Sequence, residues 1–186
     1  MSAEPKLIPT SSQTVGPYFR IGLERLIGCS QCVEADDAGK ITIRGRVLDS
    51  ENAPVSDAML EFWTLSSNPT NAAASAHDGF PPTFRRAATD SNGDFCVVTS
   101  PPHPVPFLDS TMQAPHLLVL VFARGLLRQL ISRVYLDGEP GNASDPVLLA
   151  VPAERRRTLI AQREGDASFR WNVILQGADE TVFFAW

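Results

Sequence analysis

Three histidines, two tyrosines and three cysteines are the side chains here best suited to hold a metal or a reactive group, and their spacing limits what they can do. His116 opens an apolar run. Same-face residues on a strand are two apart, so a His-x-His pair would aim two imidazoles at one ion. Leu118 stands at the second position, and His116 therefore reads as a hydrogen-bonded structural histidine. His77 and His103 fall in two long loops that contain no tyrosine, so phenolate ligation of a ferric ion has no loop phenol to draw on. The tyrosines are Tyr18 and Tyr135. Cys29 and Cys32 form a CxxC without a second pair, and Cys96 lies far off in a strand. Free thiols in a reducing cytosol are expected, with a metal or redox role as the alternative. No Ser or Cys nucleophile sits in a recognisable triad, and no glycine-rich phosphate loop occurs.

Two other features carry chemistry. Phe122-Ala123-Arg124-Gly125 ends the apolar run on a guanidinium. A fixed cation there either grips a carboxylate with two parallel hydrogen bonds or covers a sheet edge with its apolar stem. Near the N-terminus, Ser12 to Phe19 reads SQTVGPYF. It has no helical or strand periodicity, and Gly16-Pro17 predicts a turn or an extended approach. Glycine lets a backbone come close to something, and tyrosine brings a flat ring with a polar tip. Thr14, Gly16, Pro17 and Tyr18 in one cluster mark a segment that docks on a ligand or a partner.

The elements that must position these residues are mostly strands. Lys40 to Asp49 alternates, with Gly45 as a predicted bulge, and Ala58 to Leu65 alternates again. Phe84–Thr89 and Phe95–Thr99 flank Asp90-Ser91-Asn92-Gly93, a hairpin signal. Leu117 to Ala123 is apolar nearly throughout and predicts a strand buried on both faces. Strands are also expected over Leu127–Leu136, Phe169–Leu175 and Thr181–Trp186. Pro152 to Arg163 is the one predicted helix. Long loops cover Ser66–Pro82 and the proline-rich Ser100–Pro115. Short strands punctuated by turns predict a mainly β chain, a two-sheet β-sandwich with long loops, an N-terminal arm over residues 1–39 and one short helix beside a core over residues 40–186.

Composition excludes several classes. A chain of 186 residues with 44% hydrophobic residues suits one globular domain. The net charge is −5 and no basic stripe occurs, so no nucleic-acid surface is expected. Arg155-Arg156-Arg157 is read as a solvated helix face. No apolar run reaches the length of a membrane span. The opening Met-Ser-Ala-Glu-Pro-Lys lacks the pattern of a secretory leader, so a cytoplasmic location is expected.

SQTVGPYFRIGL (Ser12–Leu23), LEFWT (Leu60–Thr64), APHLLVLVFARG (Ala114–Gly125), RRTLIAQR (Arg156–Arg163) and GADETVFFAW (Gly177–Trp186) together resemble the α subunits of the intradiol ring-cleaving dioxygenases. That resemblance implies a β-sandwich and an oligomer of alternating homologous α and β subunits. It implies a ferric iron, Fe(III), held by two Tyr and two His of the β subunit, and a degenerate site in α. His116 and Leu118 match that degenerate state, so neither a metal ligand nor a catalytic residue is expected in this chain. The resemblance also implies that the arm lines the partner's active site, through Thr14, Gly16, Pro17 and Tyr18, and that Arg124 approaches the same pocket to hold an anionic substrate. The implied reaction inserts both atoms of O2 into protocatechuate, giving 3-carboxy-cis,cis-muconate in the β-ketoadipate pathway of aromatic catabolism.

Overall fold

The computed structural model describes residues 10–23, 27, 39–64, 84–108 and 111–185. In chain order the elements are α1 (Pro17–Leu23), β1 (Ile41–Leu48), β2 (Met59–Thr64), β3 (Phe84–Ala88), β4 (Asp94–Thr99), β5 (Val105–Pro106), β6 (Met112–Gln113), β7 (His116–Phe122), β8 (Leu130–Leu136), α2 (Pro146–Ala150), β9 (Ile160–Arg163), β10 (Ser168–Arg170) and β11 (Val173–Ile174), with 3-10 turns at Pro140–Ala143 and Ala153–Leu159.

Alternation decides the layers. In β1, Ile41, Ile43 and Val47 are buried while Arg46 is exposed, as a strand with one buried face requires. β1 pairs antiparallel with β4 and parallel with β10 and β11. The second layer runs β8-β7-β2-β3, each neighbour antiparallel. β9 pairs with β8 on one side and with β10 on the other, so the two layers join at one edge and the sandwich is wrapped nearly into a barrel. Ile43, Phe62, Val119 and Phe169 fill the space between, and the Phe62 and Phe95 rings meet across it at 6.0 Å.

Several local expectations are corrected. Gly45 makes no bulge: the β1–β4 register is unbroken from Ile41↔Thr99 to Arg46↔Asp94. A Cβ at Gly45 would lie 1.7 Å from the Trp171 carbonyl oxygen, so close backbone approach is what requires glycine there. Residues 84–99 are not a hairpin, because β3 pairs with β2 and β4 with β1. The turn between them is a corner joining the layers. Asp90 Oδ1 accepts from the Asn92 and Asp94 amides at 2.8 and 2.9 Å, and the Gly93 carbonyl accepts from Val47 N at 2.9 Å, drawing the chain over to β1.

β7 is not buried on both faces. Leu117, Val119 and Val121 face the core, and Leu118, Leu120 and Phe122 are half-buried on the outer face. β8 begins at Leu130 rather than Leu127. The strand expected over Phe169–Leu175 is broken at Trp171-Asn172, where Asn172 Oδ1 replaces a ladder partner by accepting from Arg46 N at 3.0 Å. The expected helix over 152–163 is a 3-10 run followed by β9. Thr158 Oγ1 donates back to the Arg155 carbonyl at 2.9 Å, which competes with α-helical bonding, and the edge of β8 then captures Ile160 and Ala161. Thr181–Trp186 forms no assigned strand among its described residues, although Thr181 N reaches Ile174 O and Phe184 N reaches Ile131 O at 2.9 and 2.8 Å.

Cys96 is disulfide-bonded, which overturns its expectation as a free thiol. Cysteine counts carry no information on which sulfurs the fold brings within bonding reach. Cys29, Cys32, His77 and the 66–82 loop lie outside the described residues. Among the described residues no helix is long and apolar enough to cross a membrane.

Candidate functional site: an arm, an arginine and a buried polar cluster

Pro17 starts α1, where its missing N–H is no loss and its fixed φ fits a helix. The turn or extended approach expected at Gly16-Pro17 is therefore the entry to one short helix. Three contacts seat that arm on the outer face of the second layer. The Phe19 ring lies 5.2 Å from that of Phe122. The Arg20 guanidinium donates to the Ser56 and Thr89 carbonyls at 2.9 Å each. Thr14 Oγ1 accepts from Gly125 N at 2.9 Å.

The arm and the end of β7 enclose an open cleft of about 130 Å³, lined by Gly16, Phe19, Arg20, Asp57, Phe122 and Arg124 among others. Arg124 Nε donates to Asp57 Oδ2. The Arg124 side chain is 65% exposed and that of Asp57 22%. The fold thus brings Thr14, Gly16 and Arg124 together across more than a hundred residues of sequence. Tyr18 is 82% exposed and points outward rather than into the cleft, and Pro17 contributes the helix start. A Cβ at Gly16 would meet nothing within 4 Å among the described residues.

At the other end of β7 lies a different cluster, covered by α2 and the 3-10 run. Asp145 is fully buried. It accepts from Ala114 N (2.8 Å), Tyr135 Oη (3.0 Å), Val147 N (3.0 Å) and Leu148 N (2.7 Å). Arg133 donates to Gln113 Oε1 at 2.6 Å and to Tyr135 Oη at 3.4 Å. His116 Nδ1 pairs with the Ala114 carbonyl at 2.8 Å. Burial pushes the His116 imidazole below its ordinary value, and the neighbouring Arg133 charge lowers it further, against the pull of Ala114 O and Asp145. Burial pushes the Tyr135 phenol up, so it stays protonated through the physiological range, although Arg133 opposes the shift.

Sequence reasoning missed Asp57, Arg20 and Asp145. Asp145-Pro146 ahead of VLLA is a cap-then-proline helix start and could have been read. Nothing local marks Asp57.

A family model described as Dioxygenase matches residues 15–177. The protocatechuate 3,4-dioxygenase alpha chain of Burkholderia cepacia is 38% identical over 193 residues, covering 94% of this chain and 96% of the relative. The chain belongs to the intradiol dioxygenase family. The alpha chain of the same enzyme from Pseudomonas putida is 34% identical and covers 96% of this chain and 98% of its own length. The Burkholderia cepacia beta chain is 27% identical over 161 residues, with 76% of this chain and 66% of the relative covered. Among solved structures, catechol 1,2-dioxygenase from an Acinetobacter species superposes with a TM-score of 0.56 at 18% identity over 78% of this chain and 55% of its own. A dioxygenase domain from a Streptomyces species gives 0.55 at 21% identity over 96% and 97%. At such identities the superpositions establish the wrapped sandwich.

The family depends on iron, and the cluster around His116 does not fit that ion. Leu118 takes the place of a second same-face imidazole on β7, Tyr135 Oη already donates to Asp145 Oδ1, and the Arg133 guanidinium bonded to that phenol puts a positive charge where a ferric ion would need negative donors. Among the described residues no three His, Cys, Asp or Glu side chains converge.

Proposed function

We propose that this chain is the α subunit of a protocatechuate 3,4-dioxygenase, working in a hetero-oligomer with a homologous β subunit that holds the Fe(III). The complex cleaves protocatechuate between its hydroxylated carbons, inserting both atoms of O2 to give 3-carboxy-cis,cis-muconate. The observation that carries this is the separation along β7. His116 marks one end, and six residues on, Phe122 and then Arg124 mark the other, a span of roughly 20 Å at strand rise. Arg124 and the arm therefore cannot serve a centre built around His116 in the same chain. They form an open cleft that suits completion by a neighbour.

In this reading residues 1–39 are the docking arm and residues 40–186 the sandwich. Thr14, Gly16, Pro17 and Tyr18 form part of the wall around the partner's iron. Gly16 leaves room for an approaching group, and exposed Tyr18 offers a ring with a polar tip. Arg124 holds the substrate carboxylate, since its planar guanidinium matches a carboxylate bidentately. The degree of identity to alpha chains over nearly the whole length supports the same assignment.

The test is expression of this chain with and without a β partner, reading iron content and ring cleavage. Iron and activity are expected only in the complex. Iron-dependent cleavage by this chain alone would overturn the proposal.

A further inference from the structure

The cleft contains a carboxylate whose purpose the docking role leaves unexplained. Asp57 is followed directly by Ala58, which opens onto β2, and Arg124 lies 67 residues away. They meet through a single contact, Arg124 Nε to Asp57 Oδ2. A guanidinium has two edges that can grip a carboxylate: one uses Nε with a terminal amino group, the other uses both terminal amino groups. Asp57 occupies the first. Among the described residues neither terminal amino group of Arg124 has a hydrogen-bond partner, and the side chain is largely exposed.

Charge points the same way. Among the described residues, the charged side chains lining the cleft are Arg20, Arg124 and one carboxylate, Asp57. Arg20 is bound to two backbone carbonyls, neutral acceptors that leave its charge in place. The described lining therefore carries two cations against one carboxylate, so Asp57 does not abolish its attraction for an anion.

We propose, building on the reading of Arg124 as the substrate-carboxylate site, that Asp57 is a positioning residue which locks Arg124 by its Nε edge and so presents the end-on pair of amino groups to the carboxylate of an aromatic acid. An exposed arginine without such an anchor samples many rotamers, and ordering it on binding costs affinity. The anchored side chain has that ordering completed beforehand. Asp57 would thus help distinguish catechols that carry a ring carboxylate from those that lack one.

The experiment uses the assembled α/β complex, with steady-state kinetics on protocatechuate and on 4-methylcatechol, and iron content measured for each variant. For Asp57→Ala the KM for protocatechuate is expected to rise about fivefold or more, with kcat within about twofold and the KM for 4-methylcatechol unchanged. Asp57→Asn, which keeps the volume and an accepting oxygen, should give an intermediate rise. Arg124→Ala should raise the protocatechuate KM at least as far, and adding Asp57→Ala to it should change nothing more. A KM that stays put or falls in Asp57→Ala, or that rises equally for both substrates, overturns the proposal. If Arg124→Ala still raises the KM selectively, only the role of Asp57 fails. If Arg124→Ala is also silent, the carboxylate site itself is refuted.

Discussion

Thr14 accepts a hydrogen bond from the backbone amide of Gly125, the residue after Arg124, across 111 positions of sequence. That bond fixes the arm in register with the guanidinium: where Thr14 sits, Gly16 lines the cleft beside Arg124. A net contribution of about 1 kcal/mol is typical of such a bond, enough to change local opening roughly fivefold. Thr14→Ala should speed hydrogen exchange of the Gly125 amide by about that factor, read by NMR, with little change in global stability. Thr14→Ser should restore most of the protection. Exchange at Gly125 that ignores Thr14→Ala would mean the arm is held in some other way.

Arg20 is the stronger fastening. Its two charge-assisted bonds to Ser56 O and Thr89 O are part-buried, and each such bond contributes about 1.5–3 kcal/mol. Arg20→Ala should loosen α1 while leaving the sandwich folded, so that limited proteolysis cuts within residues 10–23 well before the core. Arg20→Lys should protect only partly, because a compact ammonium cannot span two carbonyls in the manner of a planar guanidinium. An arm equally resistant in Arg20→Ala would place its anchorage elsewhere.

Sequence pattern makes β1 and β2 legible because each alternates against a single core, whereas β7 is legible only as a strand: its unbroken apolar run hides that one face is only half-buried. It also makes Arg124 legible, because a charge that ends an apolar run is conspicuous. Asn92-Gly93 misleads because a tight turn specifies a reversal and not which layer the next strand joins; that is settled by Val47 N bonding to Gly93 O. The expected helix fails because its charge and proline signals are local, whereas the pairing of Ile160 and Ala161 with β8 is not. Asp57 is invisible for the same reason, since its meaning lies in a partner 67 residues away.

Asp145 organises the cluster at the far end of β7. With four donors on one fully buried carboxylate, Asp145→Ala strands two helix amides, the Ala114 amide between β6 and β7, and a phenol. Each stranded neutral donor costs about 1–3 kcal/mol, so a loss of several kcal/mol is expected, measured as a shift in the denaturation midpoint. Tyr135→Phe removes one of the four donors and should cost about 1–3 kcal/mol. A ranking in which Tyr135→Phe costs more than Asp145→Ala would put the phenol, not the carboxylate, at the centre of the network.

His116 gives the same cluster a pH dependence. Burial lowers its pKa below the 6.5 of a free imidazole, so the folded state prefers it neutral. Above about pH 6.5 both folded and unfolded chains leave it neutral and no penalty arises. As pH falls from there toward the lowered folded value, the unfolded chain takes up the proton first and stability is lost. Arg133 deepens the shift by opposing a second cation, and Asp145 moderates it. His116→Asn keeps a donor for Ala114 O without a titrating group. Its denaturation midpoint should therefore fall less than that of the parent between pH 7.5 and pH 5.5. Parallel losses in both proteins would assign the acid sensitivity to other groups.

Gly45 tests the wrapped sheet itself. A Cβ there would lie 1.7 Å from Trp171 O, 2.7 Å from its carbonyl carbon and 2.8 Å from Phe95 Cζ. The backbone oxygen cannot withdraw freely, because Trp171 N is bonded to Arg44 O at 2.8 Å and the next link is Arg46 N to Asn172 Oδ1. Gly45→Ala must therefore separate β1 from the β10–β11 edge, and a loss beyond about 4 kcal/mol, or no folded protein, is expected. Gly165 provides the contrast. A Cβ there would make only ordinary contact, 3.7 Å from Ser168 Cβ, and Gly165→Ala should fall within about ±1 kcal/mol, with any gain coming from reduced freedom of the unfolded chain. Comparable losses for the two substitutions would mean that β1 does not pass against Trp171 as closely as the 1.7 Å approach requires.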